Sequence, residues 1–342
     1  MSHDVFAEWH FNDAAFPSKG SESDKLHFML RYATLAPSSH NTQPWQFRVA
    51  DGNLDLIADR TRSLPVVDPN DRALIISCGA ALGLLRVAMR FHGYTGAFVL
   101  LPEFSEPDIL ARVELGSSHT PDEADIRRFQ AIKQRRSTRA PYADRPVPPD
   151  LIQKLKASAR EDGVELAILT RPGVKASVAE IVAEGDQTQF ADWRFRHELG
   201  SWVHSRNAAS RDGMSGANFG MPDSLSRLGG LVIRTFDLGG GIAAKDKDIA
   251  AGSPALLVLA TPGDHARDWL AVGLGHATML LEITAAGLAA SYLNQPVEVD
   301  RLRPKLRELA ELAGFPQLML RIGFGPQIGP AVRQPVADVL ID

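Results

Sequence analysis

Residues 79–93, GAALGLLRVAMRFHG, and residues 273–287, GLGHATMLLEITAAG, decide how the chain is organised. Each segment runs from one glycine to another over the same length. Each also places apolar residues at the spacing of a helix face, with Leu82, Leu85 and Met89 in the first segment. Glycine is the usual residue just after a helix C-terminus, so each segment predicts a helix that ends at its last glycine. Two such patterns indicate an internal repeat, although any two amphipathic helices share part of this similarity.

The segments that follow these two helices also correspond. In each half an extended stretch comes next and a strand closes the unit, with a charged helix between them in the second half. The segments are residues 96–102 and 109–115 in the first half, and residues 288–296, 302–312 and 317–323 in the second. The sequence therefore predicts two similar halves, residues 1–118 and 119–342, which join at the linker-like stretch GSSHTP, residues 116–121.

The rest of the chain alternates between helix and strand patterns. Helices are predicted at residues 24–35 (with Ser23 as the cap), 122–134 and 195–204, a hairpin at 45–49 and 54–58 around Asp51-Gly52, and strands at 164–170 and 255–260. Helices that flank mostly antiparallel sheets define an α+β fold. Residues 206–248 are rich in glycine, asparagine and serine, and their length predicts a lid or an inserted subdomain.

The composition is that of an ordinary folded protein. The chain has 342 residues, 44% of them hydrophobic, and 37 Lys and Arg against 41 Asp and Glu give a net charge of −4. This balance does not favour a nucleic-acid partner. Residues 1–19 lack the apolar stretch of a secretory signal, and the longest apolar tract, residues 73–87, is shorter than the roughly 20 residues that span a bilayer. With a single cysteine, Cys78, we expect a cytoplasmic protein without a membrane partner.

Several common cofactor and metal motifs are missing from the sequence. The pair Gly273 and Gly275 has no strand before it and no third glycine, so it is not a dinucleotide fingerprint. His197-Glu198 lacks the second histidine of a zinc-binding helix, and the histidines are scattered along the chain. No P-loop and no GxSxG motif occurs. We therefore expect no metal site.

Residues 36–45, APSSHNTQPW, form the first candidate site segment. They follow a predicted helix and lead into a predicted strand. The turn offers backbone N–H groups, hydroxyls and amides on one edge, which suits a flat heteroaromatic ligand. An ordinary helix-to-strand turn of the same polar composition is the alternative. The candidate contacts are Pro37, Ser38, Ser39, Asn41 and Gln43.

Residues 135–139, RRSTR, form the second candidate segment, at the end of the helix predicted for residues 122–134. Arg135, Arg136 and Arg139, with the hydroxyl of Ser137, are suited to bind phosphate, because a guanidinium presents paired donors to phosphate oxygens. The alternative is a cationic helix C-terminus that interacts with the helix dipole.

Together, the APSSxNxQPW and RRSxR segments resemble the two signature segments of the FMN-dependent nitroreductase family. In that family a dimer holds FMN at its interface. The Arg-x-Ser-x-Arg segment of one subunit binds the phosphate and ribityl chain, and the Pro-Ser-x-x-Asn turn of its partner covers the isoalloxazine. Family members usually carry the arginine motif first, whereas here it comes second and each motif occurs once. This order is similar to the fused, single-chain branch, which implies an intrachain pseudo-dimer with one FMN site per chain.

The resemblance extends to two further segments. In the family, backbone five to eight residues after the helix glycine meets the N5 and O4 edge of the flavin. From Gly287 that distance leads to Tyr292, Leu293, Asn294 and Gln295. Near the end of the sequence, Arg333 is similar to the last phosphate-binding arginine of the family. The family's basic residue two positions earlier is Ala331 here, a departure that leaves the set of phosphate contacts open.

The resemblance implies an enzyme in which the flavin carries the chemistry. Hydride from NAD(P)H would arrive at flavin N5 and pass to a nitroaromatic or quinone-like small-molecule acceptor, with no catalytic side chain required. One alternative is an FMN-sequestering flavoprotein with a closed lid, as in some members of the fused branch, and another is a module that has lost flavin. The candidate lid residues are Asn207, Met214, Asn218, Phe219 and Met221, unless residues 206–248 are a surface insertion. Formation of a homo-oligomer stays open.

Overall fold

The computed structural model describes residues 5–103, 105–204, 210–215, 229–235 and 238–342. Its strands are β1 (Trp45–Ala50), β2 (Asn53–Ala58), β3 (Ala97–Leu100), β4 (Ile109–Glu114), β5 (Glu165–Leu169), β6 (Val203–His204), β7 (Met214–Ser215), β8 (Ala255–Thr261), β9 (Ala289–Tyr292), β10 (Phe315–Gly323) and β11 (Leu340–Ile341). Its helices are α1 (Glu22–Ala33), α2 (Arg72–Phe91), α3 (Glu123–Ile132), α4 (Pro149–Glu161), α5 (Pro172–Ala191), α6 (Trp193–Ser201), α7 (Gly229–Thr235), α8 (Gly239–Gly252), α9 (Ala266–Ala285), α10 (Gln295–Glu298), α11 (Arg303–Leu309) and α12 (Val336–Val339).

Two separate sheets organise these strands. The first has the order β11-β1-β2-β4-β3 and the second the order β5-β8-β10-β9, and the short pair β6-β7 stands apart. Neighbouring strands are antiparallel in both sheets, except that β11 runs parallel to β1. The β1-β2 hairpin turns at Asp51 and Gly52, whose φ angles of 52° and 78° are those of the two-residue turn that Asp-Gly favours. The predicted α+β fold with mostly antiparallel sheets is confirmed.

The helices α2 and α9, predicted as the matching helices of the two halves, pack against each other in the centre of the molecule. A Cβ atom on Gly79 would lie 2.6 Å from the backbone oxygen of Leu270, and one on Gly273 would lie 2.6 Å from the Cα of Gly79. Glycine is therefore required on both helices where they cross. Among the described residues, α2 alone has the length and apolar composition of a membrane span, and 83% of its most apolar stretch is buried inside the protein.

The hydrophobic core follows the two sheets. One cluster joins the first sheet to α1, α2 and α3, with Phe47, Leu82 and Phe129 among its members. The second sheet is covered on both faces, by α4 and α9 on one side and by α5 and α11 on the other. Strand β8 is buried along its full length, as expected for a central strand with apolar residues on both faces.

Several predicted boundaries need correction. Helix α1 begins at Glu22 because Ser21, rather than Ser23, is the cap: its Oγ accepts from the N–H of Asp24 while the Asp24 carboxylate accepts from the N–H of Ser21. Helix α3 ends at Ile132, so residues 135–139 follow the helix as a loop and do not form its last turn. Helix α6 lies at residues 193–201, two to three residues before the predicted position.

Two segments depart from the predicted division of the chain. Residues 239–248, predicted as the end of a lid or insertion, form the first part of α8, which continues to Gly252 and packs on α5. Strand β11 was not predicted and consists of residues assigned to the second half; it pairs with β1 of the first sheet and supplies hydrogen-bond partners to an edge that otherwise ends the sheet. The last residues therefore return to the part of the molecule formed by residues 1–118.

Candidate functional site

The turn between α1 and β1 has an unusual backbone. His40, Asn41 and Gln43 all have positive φ angles, between 51° and 56°, which residues other than glycine rarely adopt. Each such residue costs about 1–2 kcal/mol, so the surrounding contacts must hold the turn in place. Strained backbone of this kind is concentrated at functional sites.

The two amide side chains of the turn are bound by the protein itself. Asn41 Nδ2 donates to the backbone oxygens of Gly213 (3.0 Å) and Val332 (3.2 Å). Gln43 is fully buried: its Nε2 donates to the backbone oxygen of Arg211 at 2.8 Å, and its Oε1 accepts from the N–H of Gln334 at 2.9 Å. These two predicted ligand contacts therefore hold the turn against segments from the other end of the chain.

The remaining residues of the turn are less fully engaged. Pro37 is buried, whereas Ser38 and Ser39 are half-buried. Ser38 Oγ accepts from the N–H of Gln43 at 2.9 Å, and the N–H of Ser39 donates to Ser77 Oγ at 3.3 Å. Burial and the nearby charge of Arg139 lower the pKa of His40 to about 4, so its imidazole is neutral at pH 7.

Two buried arginines and one half-buried arginine meet behind this turn, and we call Arg135, Arg136 and Arg333 the arginine cluster. Arg135 and Arg333 are 3% and 2% exposed, and both donate to the backbone oxygen of Leu35, at 3.5 and 3.2 Å. Arg333 Nη1 also donates to Asn41 Oδ1 at 2.8 Å. Leu35 directly precedes the first predicted site segment, residues 36–45. Its backbone oxygen therefore joins that segment to Arg135 of the second segment and to Arg333.

The arginine cluster is not neutralised by the described part of the chain. Burial lowers the pKa of Arg135 and Arg136, the latter to about 10, and the pKa of Arg333 is lowered by burial and by the charges of the other two. No described carboxylate acts on the pKa of any of the three. The Nε atom of each is buried and has no hydrogen-bond partner among the described residues. Buried like charges without a counter-ion are costly unless an anion binds.

Trp9 is a part of this site that sequence reasoning missed. The guanidinium of Arg136 lies 4.5 Å from the Trp9 ring centroid and that of Arg333 lies 5.3 Å from it. Trp9 Nε1 donates to the backbone oxygen of Ala331 at 2.8 Å. Trp9 is one of four aromatic residues between Phe6 and Phe16, and nothing in that stretch singles it out for this cation–π contact.

Arg139 lies apart from the arginine cluster, so the structure does not bring the three arginines of residues 135–139 together. Arg139 is exposed, and its Nη2 lies 3.8 Å from Met214 Sδ. Its charge acts on the pKa of Asp186 and Asp246, which are groups of α5 and α8. Arg139 follows Arg136 by three residues of extended loop, so the two side chains diverge, and Arg333 takes the third place in the cluster.

Ser137 and its neighbour tie the arginine segment to strand β9. Ser137 forms a bridge with Ala290, and the N–H of Thr138 donates to the backbone oxygen of Ala290 at 3.0 Å. The Ser137 side chain is exposed, and its Oγ accepts from Arg135 Nη1 at 3.4 Å. The hydroxyl therefore lies beside the arginine cluster without being enclosed by it.

Arg321, on β10, is a second residue that sequence reasoning missed. It is buried, and its Nη2 donates to the backbone oxygens of Thr138 and Ala140, both at 2.9 Å. Its Nε donates to Ser291 Oγ at 3.1 Å, and its guanidinium lies 4.0 Å from the ring centroid of Tyr142. Arg321 thus fixes the loop that carries Arg139.

The residues of the predicted segment after α9 contact different parts of the protein. Leu293 is buried in the core and its N–H donates to the backbone oxygen of Met319 at 3.1 Å. Asn294 Oδ1 accepts from the N–H of Met319 at 3.0 Å, so its side chain lies against β10. Tyr292 is half-buried, and its hydroxyl lies 3.0 Å from His276 Nε2.

Gln295 joins the same segment to two carboxyl groups, Asp186 and Asp246, which we call the acidic pair. Gln295 Nε2 donates to Asp186 Oδ1 at 2.9 Å and to Asp246 Oδ2 at 3.1 Å. Burial and the neighbouring charge of Asp246 raise the pKa of Asp186 to about 8, and burial also raises the pKa of Asp246 and of nearby Glu298. Helix α5 approaches closely at Gly185, where a Cβ atom would lie 2.6 Å from that of Gln295.

Part of the predicted lid lies over the turn. The N–H of Gly213 donates to the backbone oxygen of Asn41 at 3.1 Å, and Asp212 forms an ion pair with Arg62 at 2.9 Å. Met214 is beside Arg139, as described above. The other predicted lid residues, Asn207, Asn218, Phe219 and Met221, lie outside the described residues. Within the described ranges, no group of three or more His, Cys, Asp or Glu side chains could hold a metal ion.

The amino-acid sequence is similar to a known protein family and to named relatives. A family model described as "Nitroreductase family" matches residues 132–325. A protein of Mycobacterium tuberculosis H37Rv named "Putative NAD(P)H nitroreductase Rv3131" is 31% identical over 341 residues, covering 96% of each chain. A second protein of that strain, named "Putative NAD(P)H nitroreductase acg", is 27% identical over 334 residues, covering 93% of this chain and 95% of the relative.

A solved structure with similarity to this chain is the FMN-dependent nitroreductase NfnB from Mycobacterium smegmatis in complex with NADPH. The superposition covers 62% of this chain and 96% of that one, with 15% identity and a TM-score of 0.42.

Proposed function

Because this chain belongs to the nitroreductase family, we propose that it is an FMN-dependent oxidoreductase that takes hydride from NAD(P)H and delivers it to a nitroaromatic or quinone-like small molecule. We propose one FMN per chain. The observation that carries this proposal is the arginine cluster, which gathers two buried and one half-buried positive charge without a described carboxylate partner.

The arginine cluster fits the phosphate of FMN. A phosphate monoester carries a charge of about −1.5 to −2 at pH 7, and its oxygens accept the paired donors of guanidiniums. The unpartnered Nε atoms of Arg135, Arg136 and Arg333 are donors of this kind. We assign the phosphate to these three residues, with Ser137 beside them.

The turn at residues 37–43 and the backbone of residues 292–295 would hold the ring system. We assign Pro37, Ser38 and Ser39 to the cover over the ring, with Asn41 and Gln43 as the residues that fix the turn. Bound FMN supplies hydride acceptance and hydride donation, so the protein contributes orientation and electrostatics. Fixed backbone donors around Asn294 and Gln295 would stabilise negative charge that develops at the ring edge.

The site is formed within one chain, and we propose that the chain is an internal duplication that acts as its own dimer. In this interpretation residues 1–118 carry the ring cover, residues 119–342 carry the phosphate site, and residues 206–248 include the lid. The crossing of α2 and α9 at Gly79 and Gly273 supports it, because equivalent helices of a dimer meet at its twofold axis. Because β11 pairs with β1, the last residues of the second half extend the sheet that the first half forms. The proposed contact lies between two halves of one chain, so it does not require two whole chains to associate.

An FMN-sequestering protein with little turnover is the second candidate. Residues 211–213 bind the turn through Gln43 and Asn41, and the ion pair between Asp212 and Arg62 fastens them further. A lid held in this way would restrict access of NAD(P)H to the ring. We place either activity in the cytoplasm, where nicotinamide nucleotides are available and the free thiol of Cys78 stays reduced.

A visible spectrum with a flavin-to-chain ratio tests the cofactor, and NAD(P)H oxidation with a nitroaromatic tests turnover. We expect a ratio near one and acceptor-dependent loss of NAD(P)H. A ratio near one with negligible oxidation supports sequestration. A colourless protein that takes up no added FMN contradicts both functions, and a ratio near two contradicts the single site.

A further inference from the structure

His276, on α9, is buried next to the arginine cluster and makes one side-chain contact of note. It is 2% exposed, and its Nε2 lies 3.0 Å from the hydroxyl oxygen of Tyr292. Its Nδ1 is buried and has no hydrogen-bond partner among the described residues. The pair His276–Tyr292 was not singled out by the sequence, where His276 is one histidine in an apolar helix.

The missing partner of Nδ1 decides where the imidazole proton lies. If Tyr292 donated to Nε2, the proton would be on Nδ1, and a buried N–H would have no acceptor at a cost of about 1–3 kcal/mol. If the proton is on Nε2, His276 donates to Tyr292 and Nδ1 carries only a lone pair. Unsatisfied donors are rarer than unsatisfied acceptors in protein interiors, so the second tautomer is favoured.

This tautomer leaves the hydroxyl hydrogen of Tyr292 available to another acceptor. Tyr292 ends β9, and Ser137 pairs with Ala290 of that strand, so the segment that carries Arg135 runs beside Tyr292. Burial raises the pKa of Tyr292 above its usual value, against the charges of Arg135 and Arg333. Burial and the charge of Arg135 lower the pKa of His276 to about 3. Both groups are therefore neutral at pH 7, and Tyr292 is a protonated donor beside two cations.

We propose that His276 donates from Nε2 to the hydroxyl oxygen of Tyr292, and that Tyr292 in turn donates its hydrogen to the phosphate group bound by Arg135 and Arg333. Tyr292 is thus a further binding residue, and His276 is a positioning residue that acts through it. The assignment of the phosphate to FMN rests on the proposed function, whereas the hydrogen-bond order in the pair does not.

The first test compares FMN with riboflavin, which lacks the phosphate. We expect Tyr292→Phe to weaken FMN binding about tenfold, because the variant loses a hydrogen bond to a charged phosphate oxygen. Riboflavin affinity should stay within twofold. Tyr94→Phe is the matched control: it also removes the hydroxyl of a half-buried tyrosine, and the neighbours of Tyr94, Lys25 and Ser118, lie outside the arginine cluster. Equal losses for FMN and riboflavin, or no loss for either, would overturn the role of Tyr292.

The second test concerns His276. The side-chain N–H of glutamine can replace Nε2–H, so His276→Gln should keep FMN affinity within about threefold of the wild type. His276→Leu should weaken it further, and that loss should vanish in the Tyr292→Phe background, since His276 acts through Tyr292. Imidazole ¹⁵N NMR should show Nε2 protonated and Nδ1 unprotonated. A protonated Nδ1, or a His276→Leu loss that persists without the Tyr292 hydroxyl, would overturn the pairing.

Inorganic phosphate separates this inference from the proposed function. If the protein binds phosphate and loses affinity for it in Tyr292→Phe but takes up no flavin, the inference stands and the FMN assignment fails. If FMN binds with unchanged affinity in Tyr292→Phe, the FMN assignment stands and the inference fails.

Discussion

The arginine cluster and the acidic pair are both groups of like charges buried in one site, yet they reach stability in different ways. An arginine keeps its proton at any physiological pH, so the cluster of Arg135, Arg136 and Arg333 needs an anion from outside. An aspartate can take up a proton, and Asp186, with its pKa raised to about 8, becomes neutral without a ligand. Buried charge therefore indicates a bound ligand only for the arginine cluster, because arginines cannot lose their charge. For the acidic pair the same observation indicates a bound proton.

Replacement of Arg135 should have the largest effect on binding. We expect Arg135→Met to weaken FMN binding about 10- to 100-fold, because charged hydrogen bonds to the phosphate are lost. The flavin-free protein should become more stable, since a buried unpaired charge is removed and the lost protein hydrogen bonds are only the long ones, 3.4 and 3.5 Å, to Ser137 and Leu35. Flavin titration and urea unfolding measure the two effects.

Arg86→Met is the control for that variant. Arg86 is paired with Asp162 at 2.6 and 2.8 Å, so its loss should lower the free energy of unfolding and leave FMN affinity unchanged. If Arg135→Met behaves like Arg86→Met, the arginine cluster is structural.

The acidic pair should appear in the pH dependence of stability. The pKa of Asp186 is higher in the folded state than the unfolded value near 3.8, so the folded protein binds more protons between about pH 4 and pH 8. Its contribution to the free energy of unfolding is therefore present at low pH and is lost as the pH rises through this range. Relative to the wild type, Asp186→Asn should gain stability steadily as the pH rises from 4 to 8, as measured by urea unfolding.

Asp264→Asn provides a control of opposite sign. Hydrogen bonds from Arg303, Trp269 and Gln317 outweigh the effect of burial and hold the pKa of Asp264 below its usual value. The stabilising contribution of the Asp264 carboxylate is present above the unfolded pKa and is lost in acid. The free energy of unfolding of Asp264→Asn should therefore be lower than that of the wild type at neutral pH. Parallel pH profiles of wild type and Asp186→Asn would show that Asp186 holds no proton.

Inorganic phosphate should stabilise the flavin-free protein by a smaller amount. At a concentration about five times its dissociation constant, a ligand of the folded state adds about 1 kcal/mol, or roughly 1–2 °C in Tm for a protein of this size. The shift should disappear in Arg135→Met and remain in Asp186→Asn. Chloride at equal ionic strength is the reference; an equal shift with chloride would mean that no specific anion site exists.

Ser137→Ala should have the smallest effect. The hydroxyl is exposed and its hydrogen bond to Arg135 is long, 3.4 Å, so we expect FMN affinity to change less than about threefold. A loss as large as that of Arg135→Met would move Ser137 into the arginine cluster. Equilibrium titration with FMN distinguishes the two outcomes.

The sequence predicted the fold wherever the pattern was local. The periodicity of α2 and α9, the Asp-Gly turn at residues 51–52 and the apolar run of β8 each contain their own signal. Two other features were not predictable from a local pattern. Ser21 and Ser23 are both suitable caps for α1, and β11 could pair with the free edge of either sheet. A two-residue strand has too little pattern to predict its neighbour.

The site was predictable in its segments and unpredictable in its contacts. Residues 135–139 were identified by composition, but composition does not show that Arg139 turns toward the acidic pair while Arg333 joins Arg135. Trp9 and His276 act through residues far away in sequence, and no short window contains that information. The amides of Asn41 and Gln43 were predicted to bind a ligand, whereas the protein itself binds them.

The contact between Trp9 and Ala331 spans 322 positions of sequence, and Arg333 lies over the same indole ring. During synthesis on a ribosome, the residues around Trp9 emerge long before their partners exist. The phosphate pocket can therefore close only after almost the whole sequence has left the exit tunnel, and cofactor loading is a late step of biogenesis. A product that stops before Arg333 would lack one arginine of the cluster and also β11, which borders β1 in the first sheet.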